Sequence, residues 1–585
     1  MAKGKKTPRT QRLGWLLALC VALLFFALAP LSIARLGYLF EASFPFTFEH
    51  SSRVVVSPDN PTVLIPTNPV GPESPGVFSS GWWPKFALHS RGEVHPILTE
   101  AYQGSWPYYF AKLFPRGTDG LDGTRRFSSF LGALALLLVF GVALKSYGAG
   151  SALWILGVVA LNSFYLLAFA TGYLYEALPI PLIFLAGGLA VRERESPRLL
   201  RGIFIGLLVG LAASLKATAA VPGVVLVIAI LGPKRIWRRS SLPMALAAIP
   251  PLLPYLWHEV HCLVSGVTDS SMFATLMLQK ARINFPGDLF AGLIRSIAML
   301  FGTGFGSPRL YAPLFGVESW QTTSGVLSLA VGGVATLWAA VTVLRGRGTI
   351  WLRGAVASGA SVVVLSTLLY RSDLDMQGFL HILPLSALVL VEFGMWARGI
   401  LSARFANSRL PLLPLLLLIA VAAGQMAASL TIARNGVSPV LRRPQETVAL
   451  AAADSGRTVV TTAYNQAGMV SFLSHHRAKE VHADLLLSPG ADDGVDVRSI
   501  LHRDWTLLLD AHPGAVFIFE LSPMNLDAIR SSLGESRSSL VLDTFLTVVK
   551  ERGGRPVTLA TGLCDGGEPI LLALTVDSDP RSKRP

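Results

Sequence analysis

An α-helical polytopic membrane protein with a C-terminal α/β domain is the fold class this sequence predicts, and three observations predict it. Of the 585 residues, 52% are hydrophobic and only 15% charged, more apolar surface than one water-soluble core can hide. The apolar residues fall in stretches of about 18 to 23, the length a helix rising 1.5 Å per residue needs to cross roughly 30 Å of hydrocarbon. Beyond residue 432 the composition turns to that of a soluble domain. Backbone amides in lipid must be satisfied within their own segment, and no stretch shows the strict alternation of a barrel strand, so the spans are helices.

The chain opens with a basic segment, MAKGKKTPRTQR, over 1–12, followed by an apolar run within 13–36. That run is too long for the core of a signal peptide, and Pro30 after a small residue disfavours cleavage, so it reads as a retained first helix. Residues 37–124 hold Pro58, Pro61, Pro66, Pro69, Pro72 and Pro75, which no membrane helix tolerates, and form a large outer loop. Its second half, 82–114, is rich in Trp, Tyr and Phe, side chains that favour the headgroup level, so interfacial helices are expected there.

Ten further spans are expected at 127–144, 151–170, 174–191, 202–215, 219–232, 243–263, 322–344, 354–370, 379–397 and 410–432, about eleven in all, with the multi-helix domain covering 125–432. The stretch 264–320 carries Asp269, Lys280, Arg282, Asp288, Arg295, Arg309 and Glu318, too many charges for a lipid-facing helix, and is read as a second outer loop. In the tail, 433–585, strand-like runs at 457–463 and 515–520 alternate with a helical one at 466–475, the mark of a small α/β domain.

A net charge of +14 raises the question of nucleic acid, but its location answers it. Arg192, Arg194, Arg198 and Arg201 form one cluster, Lys234, Arg235, Arg238 and Arg239 a second, and Arg345, Arg347 and Arg353 a third, all in short connections on the side of the amino terminus. This is the positive-inside pattern of a multi-pass protein of the plasma (inner) membrane, with a cytoplasmic amino terminus and an extracytoplasmic C-terminal domain, and it needs no nucleic acid. Cys20, Cys262 and Cys564 form no metal-type spacing; a Cys262–Cys564 disulfide is conceivable, and free thiols are the preferred reading.

Several segments, in a fixed order, resemble the GT-C superfamily of polytopic glycosyltransferases that use polyprenyl-phosphate sugars, the group that includes protein mannosyltransferases and aminoarabinose transferases. FALHSRGEVHPILTEAYQGSWPYYFAKLF, 86–114, resembles the end of that family's first outer loop, with Pro96, Tyr102 and Gly104 leading into Trp106, Tyr108 and Tyr109. Arg125 and Arg126 resemble its arginine at the start of the next span. TGYLYEALPIPLIFL, 171–185, looks like its Tyr-x-Glu-x-Leu span start, GLLVGLAASLKATA, 206–219, like its glycine-to-lysine turn between two helices, and GFLHILPLSALVLVE, 378–392, like the entry of a late span.

The resemblance implies hexosyl or pentosyl transfer from a polyprenyl-phosphate donor to a glycan, lipid or protein acceptor of the cell envelope, among membrane lipids, at the outer face. Such a reaction needs a carboxylate to take the acceptor proton and cations to hold the departing phosphate. The family's acidic pair falls near Gly81, Trp82 and Trp83, which carry no carboxylate. Glu100, Glu41 and Glu49 are therefore the candidates for the catalytic base, Lys216, Arg371 and His381 for donor-phosphate binding, and Tyr102, Tyr173 and Glu176 for the substrate cavity. No resident metal ligand is assigned, and a divalent metal beside the lipid-linked sugar is left open as a cofactor. Two other readings compete: a non-catalytic scaffold or binding protein that kept the fold, and a lipid or solute transporter, which ionisable residues deep in the helices would favour. Glu392, Glu176 and Lys216 are the main deep charges, each placed near a helix end by these boundaries.

Overall fold

The structure is a computed structural model and describes residues 8–38, 51–56, 64–66, 86–90, 93–100, 103–106, 109, 120–172, 174–232, 240–265, 323–369, 380–405, 408–435, 441–462, 466, 468–475, 477–483, 497–521 and 537–578. Among them, each stretch expected to span is helical. Helix α1 is Pro8–Ser32, α2 Gly120–Tyr147, α3 Ala149–Ala160, α4 Ser163–Thr171, α5 Leu174–Ala177, α6 Pro179–Glu195, α7 Leu199–Leu215 and α8 Ala220–Leu231. They are followed by α9 Ser241–Ala248, α10 Leu253–Ser265, α11 Thr323–Leu344, α12 Ile350–Leu369, α13 Leu383–Arg404 and α14 Leu413–Asn435. Three of these, over Arg9–Ser32, Leu121–Tyr147 and Leu383–Arg404, are long and apolar enough to cross a bilayer unaided. Among the described residues α3 and α4 together make a fourth as one bent span, and shorter apolar helices lie in α7, α8, α11, α12 and α14.

The expected span at 151–170 is two helices, bent by 59° between α3 and α4. Asn162 explains how the break is tolerated: its side-chain oxygen accepts the Tyr165 amide at 3.2 Å, and its amide donates to Gln425 of α14 at 2.6 Å. Those bonds replace what the interrupted helix gives up.

Close packing of α7 is set by its sequence. Gly202, Gly206 and Gly210 recur every four residues and so line one face, and a Cβ on any of them would run into backbone oxygens of Ser240, Met244 or Ala248. Small residues at this spacing let two helix backbones touch, which is how helices gain dispersion energy where lipid offers no hydrophobic drive.

The basic connections close helix ends. Arg194 donates to the Ile230 carbonyl at the end of α8 at 2.6 Å, and Arg201 to those of Arg192 and Ser196 at 2.9 and 2.6 Å. Each places positive charge where the helix dipole favours it.

Beyond the helices lies a sheet in the order β2-β1-β7-β6-β8-β10-β9. Its strands are β1 Ser51–Val56, β2 Leu64–Pro66, β6 Val459–Thr461, β7 Glu480–Ala483, β8 Val516–Glu520, β9 Gly554–Leu563 and β10 Pro569–Ser578, with β3 to β5 in a separate sheet. Strands β1, β7, β6 and β8 run parallel, and β2, β9 and β10 add antiparallel edges. Thus β1 and β2, from the first loop, complete the sheet of the C-terminal domain. One face is covered by α15 (Arg442–Asp454) and α16 (Met469–Leu473), the other by α17 (Val497–Ala511) and α18 (Arg537–Glu551) around Trp505, Phe517 and Phe545.

The first face also meets the membrane helices. Tyr38, Leu121 and Tyr175 join its apolar core, and the Tyr38 ring lies 5.5 Å from that of Phe472. Around this contact Arg442 pairs with Asp122 at 2.7 Å, Gln445 accepts the Tyr38 amide at 2.6 Å, and Arg35 pairs with Asp565.

Candidate functional site

Part of the stretch expected to form interfacial helices is a small antiparallel sheet: β3 Phe86–Ser90, β4 Glu93–Glu100 and β5 Gln103–Gly104; Trp106 and Tyr109, described after it, have helical backbone. Pro96 is the physical reason, since it would break a helix interior, whereas here it pairs with Ala87 beside a register shift.

The β4–β5 hairpin delivers Gly104 directly onto the carbonyl of Ser214, near the end of α7; a Cβ at Gly104 would collide with that oxygen. Tyr255 of α10 donates its hydroxyl to the same carbonyl at 3.2 Å. Two residues on, the backbone of Lys216 is extended, with φ −145° and ψ 118°, and ends the helix before a short turn, Ala217–Ala219, that starts α8. Lys216 is only 2% exposed. Beside this junction is a cavity of about 210 Å³ lined by Leu98, Trp106, Tyr109, Pro251, Pro254 and Tyr255 among others. A largely apolar wall with three aromatic rings, and a buried lysine two residues along the chain from Ser214 of that wall, suits a ligand with an apolar tail and an anionic head.

His381, 1% exposed, sits in the turn Leu380–Ile382 that opens α13, and that turn packs against α5 and α6. Glu176 lies in α5, whose Tyr175 is an electrostatic neighbour of Tyr255. The turn bearing His381 thus packs against the helix bearing Glu176, while Tyr255 reaches the helix end that precedes Lys216. Glu100 ends β4 opposite Gln103, the residue before Gly104, so its backbone belongs to the hairpin that meets Ser214. Glu41, Glu49, Tyr102, Tyr173 and Arg371 lie outside the described residues. Among the described residues no cluster of His, Cys, Asp and Glu is arranged to hold a metal ion.

Arg125 has a structural task. Only 1% exposed, it donates to the carbonyls of Gly37 at 2.7 Å and Ile33 at 3.4 Å, pinning the end of α1 to the start of α2. The three cysteines are free thiols, and Cys262 lies 3.7 Å from His258, its neighbour one helical turn away. Glu392 is well inside α13 rather than near its end, and it is occupied: Tyr147 and Thr349 donate to it at 2.5 and 2.6 Å. Its partners lie at the end of α2 and the start of α12, among the basic connections and away from the Lys216 turn.

Sequence reasoning missed Tyr255, which anchors the helix end that presents Lys216. Its only trace in the sequence is an aromatic residue after the prolines of IPPLLPY, a weak signal.

This helix bundle, with its broken span, its loop hairpin seated on a lysine turn and its C-terminal α/β domain, shares its fold with solved structures over nearly its whole length. In particular it is similar to ArnT from Cupriavidus metallidurans: the structure bound to undecaprenyl phosphate aligns with a TM-score of 0.52 at 12% identity, covering 95% of this chain and 97% of that one. The same protein in the apo state aligns with a TM-score of 0.52 at 13% identity, over 96% and 98%. No family model and no curated protein matches the sequence.

Proposed function

We propose that this chain is a membrane glycosyltransferase that takes a sugar from a polyprenyl-phosphate donor and passes it to an acceptor of the cell envelope, at the outer face of the inner membrane. The observation that carries the reading is the buried Lys216 in an extended break between helices, with the Gly104 hairpin seated on the preceding turn and a largely apolar cavity alongside. A lysine at a break between helices can meet a phosphate as a point charge and stabilise it as it departs. The ArnT fold supports this, since that protein was captured with undecaprenyl phosphate.

In this reading Lys216, with Arg371 and His381, neutralises the departing phosphate, while Glu100, Glu41 or Glu49 takes the proton of the acceptor hydroxyl. Tyr102, Tyr173 and Glu176 contribute to the cavity wall. The test is transfer of labelled sugar from polyprenyl phosphate by the purified protein in proteoliposomes, using extracted envelope material as acceptor. Transfer lost in Lys216→Met supports the proposal; undiminished transfer by that variant, or none by the wild type from any polyprenyl-phosphate sugar supplied, overturns it.

A further inference from the structure

In the C-terminal sheet the chain leaves β6 over one face through α16 to reach β7, and returns over the other face through α17 to β8 on the opposite side of β6. Connections departing in opposite directions from neighbouring parallel strands leave a crevice at their carboxyl ends, the place where open α/β sheets take ligands. The neighbours here are β6 and β8, since β8 leads away in the other direction through α18 to β9 and β10, so the topology puts the crevice between Thr461, which ends β6, and Glu520, which ends β8.

The polar residues at this end divide into two sets. Glu480 is fully engaged: its carboxylate accepts from Thr461 Oγ1 at 3.0 Å and from the amides of Gly468 and Ser471 at 2.7 and 2.8 Å, tying the start of α16 to β7, while Thr461 also meets His482 at 3.1 Å. Gln466, in the connection that leaves β6, is different. It is 1% exposed, and among the described residues neither its amide nitrogen nor its oxygen has a hydrogen-bond partner. A buried amide left so destabilises the fold, and such a group in a native structure asks for a reason. Glu520, 6% exposed, is the second buried polar side chain at the same edge.

We propose that this crevice binds a neutral sugar unit. An amide offers a donor and an acceptor together, matching vicinal hydroxyls, each of which is both, and a carboxylate accepts from a further hydroxyl. A carboxylate at this edge, Glu520, disfavours phosphate. The site shares no residue with the Lys216 cavity and stands independently of the transferase reading.

The test uses the full-length protein in lipid nanodiscs, with saturation-transfer NMR of methyl mannoside, galactose, N-acetylglucosamine and arabinose, and with inorganic phosphate as the anionic comparison. At least one sugar binds the wild type and the Lys216→Met variant alike, and its binding is at least tenfold weaker in Gln466→Leu and in Glu520→Gln. Without sugar, Gln466→Leu raises the midpoint of thermal unfolding, which a glutamine serving the fold alone would not do. No sugar binding by the wild type, binding of phosphate in preference, or binding that survives both substitutions overturns the proposal.

Discussion

Lys216 and Glu480 are both buried ionisable groups, yet their surroundings give them opposite tasks. Glu480 is enclosed by four donors and held in place for the sake of the fold, and burial raises its carboxyl to about 7. Because the folded state holds this proton more tightly than the unfolded chain, stability falls as pH rises from about 4.5 to 7 and levels off above that, a loss on the order of 3 kcal/mol. Thermal unfolding of the C-terminal domain within the intact protein should therefore show a lower midpoint at pH 8 than at pH 5, and Glu480→Gln should flatten that difference. Lys216 instead ends its helix two residues beyond Ser214, which lines the cavity. Lys216→Met is expected to lower transfer on the order of 10²- to 10³-fold, the range for removing one group that stabilises developing charge, while leaving the unfolding midpoint in place. At this scale the sequence showed Lys216, His381 and Glu100 through short motifs, because a lysine after a run of small residues or a histidine before a span stands out against an apolar background. It concealed Tyr255, Gln466 and Glu480, whose significance comes only from strands and helices remote in the chain.

The helices were legible because lipid imposes length and composition on them; their internal breaks and contacts were less so. The break at Asn162 is written in one residue, and a single Asn within an apolar run does not announce that Gln425 will meet it. The sequence of α7 carries its glycine spacing, but nothing in it points to the partner, the backbone of α9. Replacing Gly206 by Leu is expected to destabilise the protein by about 3 kcal/mol, through collision with the Met244 carbonyl, and to lower its unfolding midpoint in detergent. Gly104→Ala strikes the Ser214 carbonyl and is expected to impair transfer far more than it lowers that midpoint, because the hairpin it shifts abuts the Lys216 turn. At Phe86–Gly104 the aromatic composition favours an interfacial helix, whereas Pro96, which lacks an amide hydrogen and disrupts a helix interior, favours the strands that form.

For the molecule as a whole, the parallel pairing of β1 with β7 sets the arrangement. Residues 51–56 precede α2 and residues 480–483 follow α14, so the first loop and the C-terminal domain share one side of the membrane, and an even number of spans separates them. Composition and charge predicted both segments outside but gave no sign that they form a single sheet, since strand partners distant in sequence leave no local pattern. Cysteines placed singly at Ser52 and Lys550 should react with an impermeant thiol reagent from the same side of intact cells. Labelling from opposite sides would contradict the shared sheet. The central claim is that this sided scaffold holds a polyprenyl phosphate at the Lys216 turn, and native mass spectrometry of the protein extracted with its lipids tests it most directly. The account predicts a bound polyprenyl phosphate on the wild type and its loss from Lys216→Met; a lipid complement identical in the two proteins would contradict it.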